Sequence, residues 1–188
     1  MQKIAYFFIA IGLLSLIFSL ILLVQRYNPN RLKFDGKIPS SNIIKTENNF
    51  PIAIRIPEIG INLPVVPASI NNNKWGTTSK GVSWLIASPI PGELGNSILY
   101  GHNWNSLLGD LENAKTGYTV EILYKNSVKR YFRISYIAIV NPNQIHVLNQ
   151  TNDARLTIYT CTGFLDQKRL VVTAEYQQPI NTKLSTSL

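Results

Sequence analysis

Cysteine and histidine are scarce in this chain: 188 residues hold one Cys, Cys161, and two His, His102 and His146. One thiol cannot close an internal disulfide, and one Cys with two His cannot supply a four-ligand Cys/His zinc site. Cys161 is therefore either a small apolar filler or a free thiol. Acidic residues are also few, 10 against 18 Lys and Arg. Glu93, Asp110, Glu112 and Asp153 are scattered along the chain and form no calcium loop, so no metal is expected. No internal repeat or low-complexity tract is present. What is there, 45% hydrophobic and 15% charged, suits one domain of ordinary size and is short for two.

A long apolar run opens the chain. Ile4 to Val24 is 21 residues without a charge, interrupted only by Gly12, Ser15 and Ser19. At about 1.5 Å per residue a helix of that length crosses a hydrocarbon core of about 30 Å. A cleaved signal peptide is the competing reading. Its apolar region is normally about 7 to 15 residues and ends at a small-residue cleavage site, whereas here Leu22, Leu23, Val24, Gln25 and Arg26 follow on directly. An uncleaved anchor over residues 1–26 is the preferred reading. The flanking charges leave its direction open: Lys3 precedes the span, but Arg26, Arg31 and Lys33 follow it.

Residues 27–49 are polar, with Asn28-Pro29-Asn30, Gly36, Pro39 and Ser40-Ser41, and read as a linker or stalk. From Phe50 the pattern changes to short β-type runs separated by turn signals. Strands are predicted at Ile52–Ile56, Ile61–Val66, Gly81–Ile86, Ser97–Tyr100, Thr119–Tyr124, Val128–Val140, Leu156–Cys161 and Arg169–Tyr176. One helical stretch is predicted after Asn105-Ser106, where Leu107, Leu108, Leu111 and Ala114 recur at helical spacing before Gly117. Eight strands with connections mostly too short for helical crossovers point to a mainly β domain over residues 50–178, closed or nearly closed into a barrel. Residues 179–188 are left as a tail.

The chemistry centres on two of these strands. Side chains alternate, so Thr157, Tyr159 and Cys161 share one face of their strand, away from Leu156, Ile158 and Thr160. If residues 162–168 form a hairpin-like connection, Arg169 opens its strand where Cys161 ends the previous one, at a cross-strand spacing of about 5 Å. A guanidinium there lowers the cost of a thiolate and can stabilise an oxyanion. Proton transfer near neutrality needs an imidazole. His102 follows Gly101 at the end of Ser97–Tyr100, where a glycine lets the ring project from a rim, and it is preferred over His146. Simpler readings exist for each residue: a packed thiol, an exposed histidine, an arginine paired with a surface acid such as Glu175.

Several segments taken together resemble the sortase family. Ile54-Arg-Ile-Pro-Glu-Ile-Gly-Ile-Asn-Leu-Pro-Val65 is similar to its first block, an Ile-Pro then Ile-Gly pair leading into Leu-Pro-Val. Gly81-Val-Ser-Trp84, followed by Pro91-Gly-Glu-Leu-Gly-Asn96 and Ser97-Ile-Leu-Tyr-Gly-His102, is similar to the block ending in the catalytic histidine. Leu156-Thr-Ile-Tyr-Thr-Cys161 with Arg169-Leu-Val-Val172 resembles the block that carries the catalytic cysteine and arginine. The three stand in the family's order behind an apolar N-terminus, and the likeness covers essentially the whole domain. The short connection between Cys161 and Arg169, and Asn103-Trp104-Asn105 after His102, place the resemblance nearer to less-characterised branches than to the housekeeping enzyme of Gram-positive cocci.

The resemblance implies an eight-stranded sortase-type β-barrel with one or more short helices, behind a transmembrane helix, acting as a cysteine transpeptidase. It implies Cys161 as nucleophile, His102 as proton donor and acceptor, and Arg169 as stabiliser of substrate and oxyanion. The N–H of Thr162 is a second oxyanion donor, and Thr160, Asn103 and Trp104 are candidates for the substrate groove. It implies protein substrates with a C-terminal LPXTG-like sorting signal, an acceptor amine from a cell-wall precursor or pilin, no cofactor and no nucleic acid, with the domain extracytoplasmic at the cell membrane. Beyond Arg26 there are 16 Lys and Arg against 10 Asp and Glu, a balance that suits an anionic membrane and wall. Two other readings stand beside it: a membrane-tethered binding module that keeps the barrel without turnover, and a cysteine endopeptidase that hydrolyses the same thioacyl intermediate. Because Arg169 favours a thiolate and opposes an imidazolium, the active ionisation state is expected to be a minor population.

Overall fold

Alternating apolar and polar positions from residue 51 onward let every strand bury one face, and closing the sheet removes its edges. The computed structural model describes residues 2–26, 29–36, 49–71 and 74–178. Residues 37–48 of the linker and the tail at 179–188 lie outside the described residues. The N-terminal helix α1 (Gln2–Arg26) is long and apolar enough to cross a membrane, with its 18-residue window at a mean hydropathy of 3.0 and none of that window buried.

Among the described residues ten strands follow: β1 (Pro51–Ile56), β2 (Ile61–Ala68), β3 (Ile70–Asn71), β4 (Lys74–Trp75), β5 (Val82–Leu85), β6 (Gly95–Tyr100), β7 (Thr119–Tyr124), β8 (Lys129–Val140), β9 (Ala154–Thr162) and β10 (Lys168–Gln177). Eight of them close a barrel in the order β1-β2-β5-β6-β9-β10-β8-β7. These are the eight expected strands, with ends displaced by one or two residues. The two-residue ribbon β3–β4 was not foreseen. Pairing is antiparallel except at β2–β5 and β6–β9.

The barrel interior is filled by residues such as Ile54, Leu99, Ile122, Phe132, Ile158 and Val172. A second apolar cluster forms on the outer face of β6, β9 and β10, with Ile98, Tyr100, Tyr159, Cys161 and Val171. β9 therefore buries both faces, Leu156 and Ile158 inward, Tyr159 and Cys161 outward. The rings of Tyr100 and Tyr159 stack at 5.4 Å, with Trp75 edge-on to both.

The helical stretch expected from Leu107 to Ala114 is a short 3₁₀ helix, Gly109–Asn113. Leu107, Leu108 and Leu111 are buried as their spacing predicts. The N–H groups of Leu107 and Gly109 donate to the Trp104 carbonyl, and that of Leu108 to the His102 carbonyl, so the first turns wrap around the segment carrying His102 instead of opening an α-helix.

Gly81 makes the β2–β5 contact possible. A Cβ at that position would lie 2.2 Å from the Pro64 carbonyl oxygen and 2.8 Å from its ring. Both are too close for any real contact, and neither atom is the end of a flexible side chain. Gly81→Ala is expected to destabilise the barrel by about 2 kcal/mol or more, as overpacking does, read as a lower melting temperature of the full chain in detergent. An unchanged melting temperature would mean that β5 shifts freely against β2.

Candidate active site

The antiparallel register of β9 and β10 sets Cys161 directly opposite Arg169. The pairing is fixed by hydrophobic alternation: Val171 must face the outer cluster while Leu170 and Val172 face the interior, so Arg169 falls on the outer face with Cys161. The third group arrives on the parallel neighbour. β6 pairs with β9 up to Tyr100 opposite Tyr159, and two residues further along each chain stand His102 and Cys161. Two bonds hold that extension together: Gly101 N–H donates to the Tyr159 carbonyl at 3.3 Å, and Thr160 Oγ1 donates to the Gly101 carbonyl at 2.7 Å. Cys161, His102 and Arg169 are 4%, 8% and 4% exposed, so all three work inside a low-dielectric environment.

The other expected residues separate in role. Trp104 stacks on the His102 ring, centroids 4.5 Å apart and planes within 10°. Asn103 Nδ2 donates to Asp166 Oδ1 at 2.8 Å. Trp104 thus packs on a reacting group itself, whereas Asn103 bonds a neighbour of the reacting groups. Asn103, Asn105, Thr160 and Thr162 line a cavity of about 210 Å³ against Cys161, with Asp110 and Glu112 across it. Thr160 touches that cavity, yet its hydroxyl is committed to the Gly101 carbonyl. His146 lies apart, exposed in the 3₁₀ turn Ile145–Leu148 between β8 and β9.

The largest addition comes from the stretch read as linker. Residues 29–36 dock as a strap across the outer face of β9 and β10. Leu32 and Phe34 are fully buried in the second apolar cluster, and Phe34 packs edge-on to Tyr159 at 5.0 Å. The strap's main chain meets the reactive groups: Cys161 Sγ donates to the Arg31 carbonyl at 3.1 Å, and Arg169 Nη2 donates to the Lys33 carbonyl at 2.9 Å. Tyr159 Oη donates to the Leu32 carbonyl between them at 3.1 Å. Arg31 Nη1 pairs with Asp166 at 2.9 Å, and Arg31 Nη2 donates to the Leu165 carbonyl. Neither the strap nor Asp166 was expected as part of the site. The available signal was the pair Leu32 and Phe34, apolar at spacing two in an otherwise polar stretch, which fits a half-buried extended segment.

Arg169 donates to three main-chain carbonyls, those of Lys33, Asp166 and Lys168, and its buried Nε has no partner among the described residues. Among the described residues no carboxylate forms an ion pair with it, and Glu175 stands in register opposite Arg155, six residues along the strand. Burial pushes the Cys161 thiol up to about 11, with Asp166 adding to the rise and Arg169 and Arg31 opposing it. Burial also lowers His102 below the usual imidazole value, opposed by the Asp166 carboxylate. With the strap docked, the site at neutral pH therefore rests as a thiol and a neutral imidazole.

The closed barrel and the sequence that forms it match a known protein family. The family model described as Sortase domain matches residues 54–177. The chain belongs to the sortase family. It is similar to sortase A of Streptococcus agalactiae serotype III, 30% identical over 141 residues that cover 70% of this chain and 55% of that one. It is also similar to sortase A of Bacillus anthracis, 26% identical over 124 residues that cover 64% and 56%. The chain thus matches little more than half the length of these curated relatives. Among solved structures, a lid mutant of sortase A from Corynebacterium diphtheriae superimposes with a TM-score of 0.61 at 22% identity, covering 90% of this chain and 98% of that one. Sortase C1 of Streptococcus agalactiae does so with a TM-score of 0.59 at 26% identity, covering 73% and 72%.

Burying Leu32 and Phe34 contributes about 2 kcal/mol each to strap docking, more than the partly exposed Arg31–Asp166 pair at about 1 kcal/mol. Phe34→Ala should therefore undock the strap further than Arg31→Ala. Since burial is the largest cause of the raised Cys161 value, uncovering the thiol lowers it, and at neutral pH each unit of fall gives about tenfold more thiolate. Alkylation of Cys161 by iodoacetamide at neutral pH should speed up by about fivefold in Arg31→Ala and by more in Phe34→Ala. Equal rates in all three proteins would show that the strap does not shield the thiol.

Proposed function

We propose that this chain is a membrane-anchored cysteine transpeptidase of the sortase type. Residues 1–26 anchor it, 27–49 tether it, and 50–178 form the extracytoplasmic catalytic domain. The observation that carries the reading is that the catalytic thiol and guanidinium already engage two carbonyls of one peptide segment, those of Arg31 and Lys33. A site that binds its own strap through main-chain carbonyls is built to bind a peptide, whatever the side chains.

In this reading the Cys161 thiol first passes its proton to His102, and the resulting thiolate attacks a carbonyl within the sorting signal of a protein substrate, an LPXTG-like pentapeptide. The carbonyl electrons move onto oxygen, where Arg169 and the Thr162 N–H stabilise the charge. The C–N bond breaks as His102 gives a proton to the departing amine, leaving a thioacyl-enzyme. A neutral acceptor amine from a cell-wall precursor or pilin then attacks the thioester and loses its proton to His102. The thiolate departs and a new amide is formed. No cofactor enters these steps. Arg169 works as a fork: Nη2 is held by the strap until substrate replaces it, and Nε is the donor with no partner. The strap acts as a lid, a reading supported by its carbonyls occupying Cys161 Sγ and Arg169 Nη2.

The test is mass spectrometry of the purified chain incubated with sorting-signal peptides and amines. A thioacyl adduct on Cys161 and an amide product are expected. Cys161→Ala should lose both and His102→Ala nearly all turnover, while Arg169→Lys should fall about a hundredfold, because an ammonium cannot reproduce the guanidinium fork. Full turnover by Cys161→Ala would overturn the assignment, and hydrolysis products alone would make the protein an endopeptidase.

A further inference from the structure

Asp166 touches every moving part of the site. Its Oδ1 accepts from Asn103 Nδ2 at 2.8 Å, next in the chain to His102. Its carboxylate holds Arg31 of the strap at 2.9 Å. Its main-chain carbonyl accepts from Arg169 Nη1 at 3.0 Å. The backbone is bent to allow this: Leu165 and Asp166 sit at φ +51 and +59, one residue beyond Gly163 at +78 with Phe164 between. Non-glycine residues keep such conformations only where surrounding contacts hold them, and they gather at functional sites. Two of the holding contacts come from Arg31 of the strap, to the Leu165 carbonyl and the Asp166 carboxylate. The bonds to Asn103 and Arg169 do not involve the strap.

We propose that Asp166 is a positioning residue of the reaction: it ties the His102 segment to the Arg169 guanidinium and keeps that tie when Arg31 departs with the strap. This rests on the transpeptidase reading above. The loop cannot relax away from its bent form without letting go of Asn103 on one side and Arg169 on the other, so the orientation of both reacting partners is set from one residue.

The same carboxylate also shifts the pH at which the site works, on top of the larger effect of burial. The charged and titratable groups that interact with it are Arg31 from the strap, His102 beyond the end of β6, Cys161 of β9 and, through its main-chain carbonyl, Arg169 of β10. It raises the pKa of both His102 and Cys161. Removing its charge lowers both, so the rising and falling limbs of the activity profile move to lower pH together.

The test uses the full chain in detergent carrying Arg31→Ala, so that loss of the strap contact is common to every protein compared. Asp166→Asn keeps an acceptor oxygen for Asn103 and removes the charge; Asp166→Ala removes both. Two profiles against pH are measured, transpeptidation of a sorting-signal peptide and alkylation of Cys161 by iodoacetamide. In the asparagine variant both limbs of turnover and the alkylation midpoint should move to lower pH, with the peak rate kept within about twofold. In the alanine variant the peak rate should drop by about fivefold or more for the lost bond. An Asp166→Asn profile superimposed on that of its parent overturns the proposal whatever the alanine variant does, and reduces Asp166 to a latch for the strap. If the parent transfers no peptide, the transpeptidase reading fails, while the alkylation profiles still decide the role of Asp166.

Discussion

The pairing of Cys161 with Arg169 across β9 and β10 is the constraint on which the site depends. Antiparallel strands place opposed residues about 5 Å apart and on the same face, so once the barrel is in register the thiol acquires a cation beside it without any loop having to deliver one. A slip of one residue would send Arg169 into the apolar interior, at a desolvation cost no neighbouring group could offset. The apolar residues of β10 that fill the barrel therefore also fix the chemistry: Leu170 and Val172 cannot change faces without taking Arg169 with them.

That arrangement creates an electrostatic conflict which the rest of the site manages. Burial on the outer face disfavours the thiolate, and Arg169 favours it; burial wins while the strap is in place. Asp166 works against the thiolate and for the imidazolium, and Arg31 neutralises it in the docked state. The strap thus covers the thiol, occupies its hydrogen bond and holds one arm of Arg169 with the same eight residues. Its grip is mostly apolar, from Leu32 and Phe34, with the ion pair as a weaker and more adjustable contribution.

Much of this was legible along the chain. Short β-type runs between turn signals located all eight barrel strands, including β5, β6 and β9, which are buried on both faces, and the hairpin from Cys161 to Arg169 was readable because its partners are close in sequence. His102 could be preferred to His146 from the glycine before it, and the structure puts it two residues past the end of the β6–β9 pairing, as Cys161 is on β9, while His146 sits in the turn between β8 and β9. The spacing of Leu107, Leu108 and Leu111 found their burial but not their conformation, since the carbonyls of His102 and Trp104 capture the N–H groups that a helix would have used. Thr160 was expected at the groove, yet its hydroxyl is committed to the Gly101 carbonyl, a bond that needs β6 and β9 to be neighbours.

By itself, the sequence determined a barrel behind an apolar helix, with one available thiol and an arginine opposite it, because those features follow from local periodicity, short loops and the scarcity of candidates. The tertiary structure alone decided that residues 29–36 close the site and that Asp166 joins its halves. The contacts responsible link Arg31 to Cys161, Leu32 to Tyr159 and Lys33 to Arg169 across more than 120 residues of chain. No local pattern encodes a partner at that separation; it exists only once the barrel has built the face on which the strap lies.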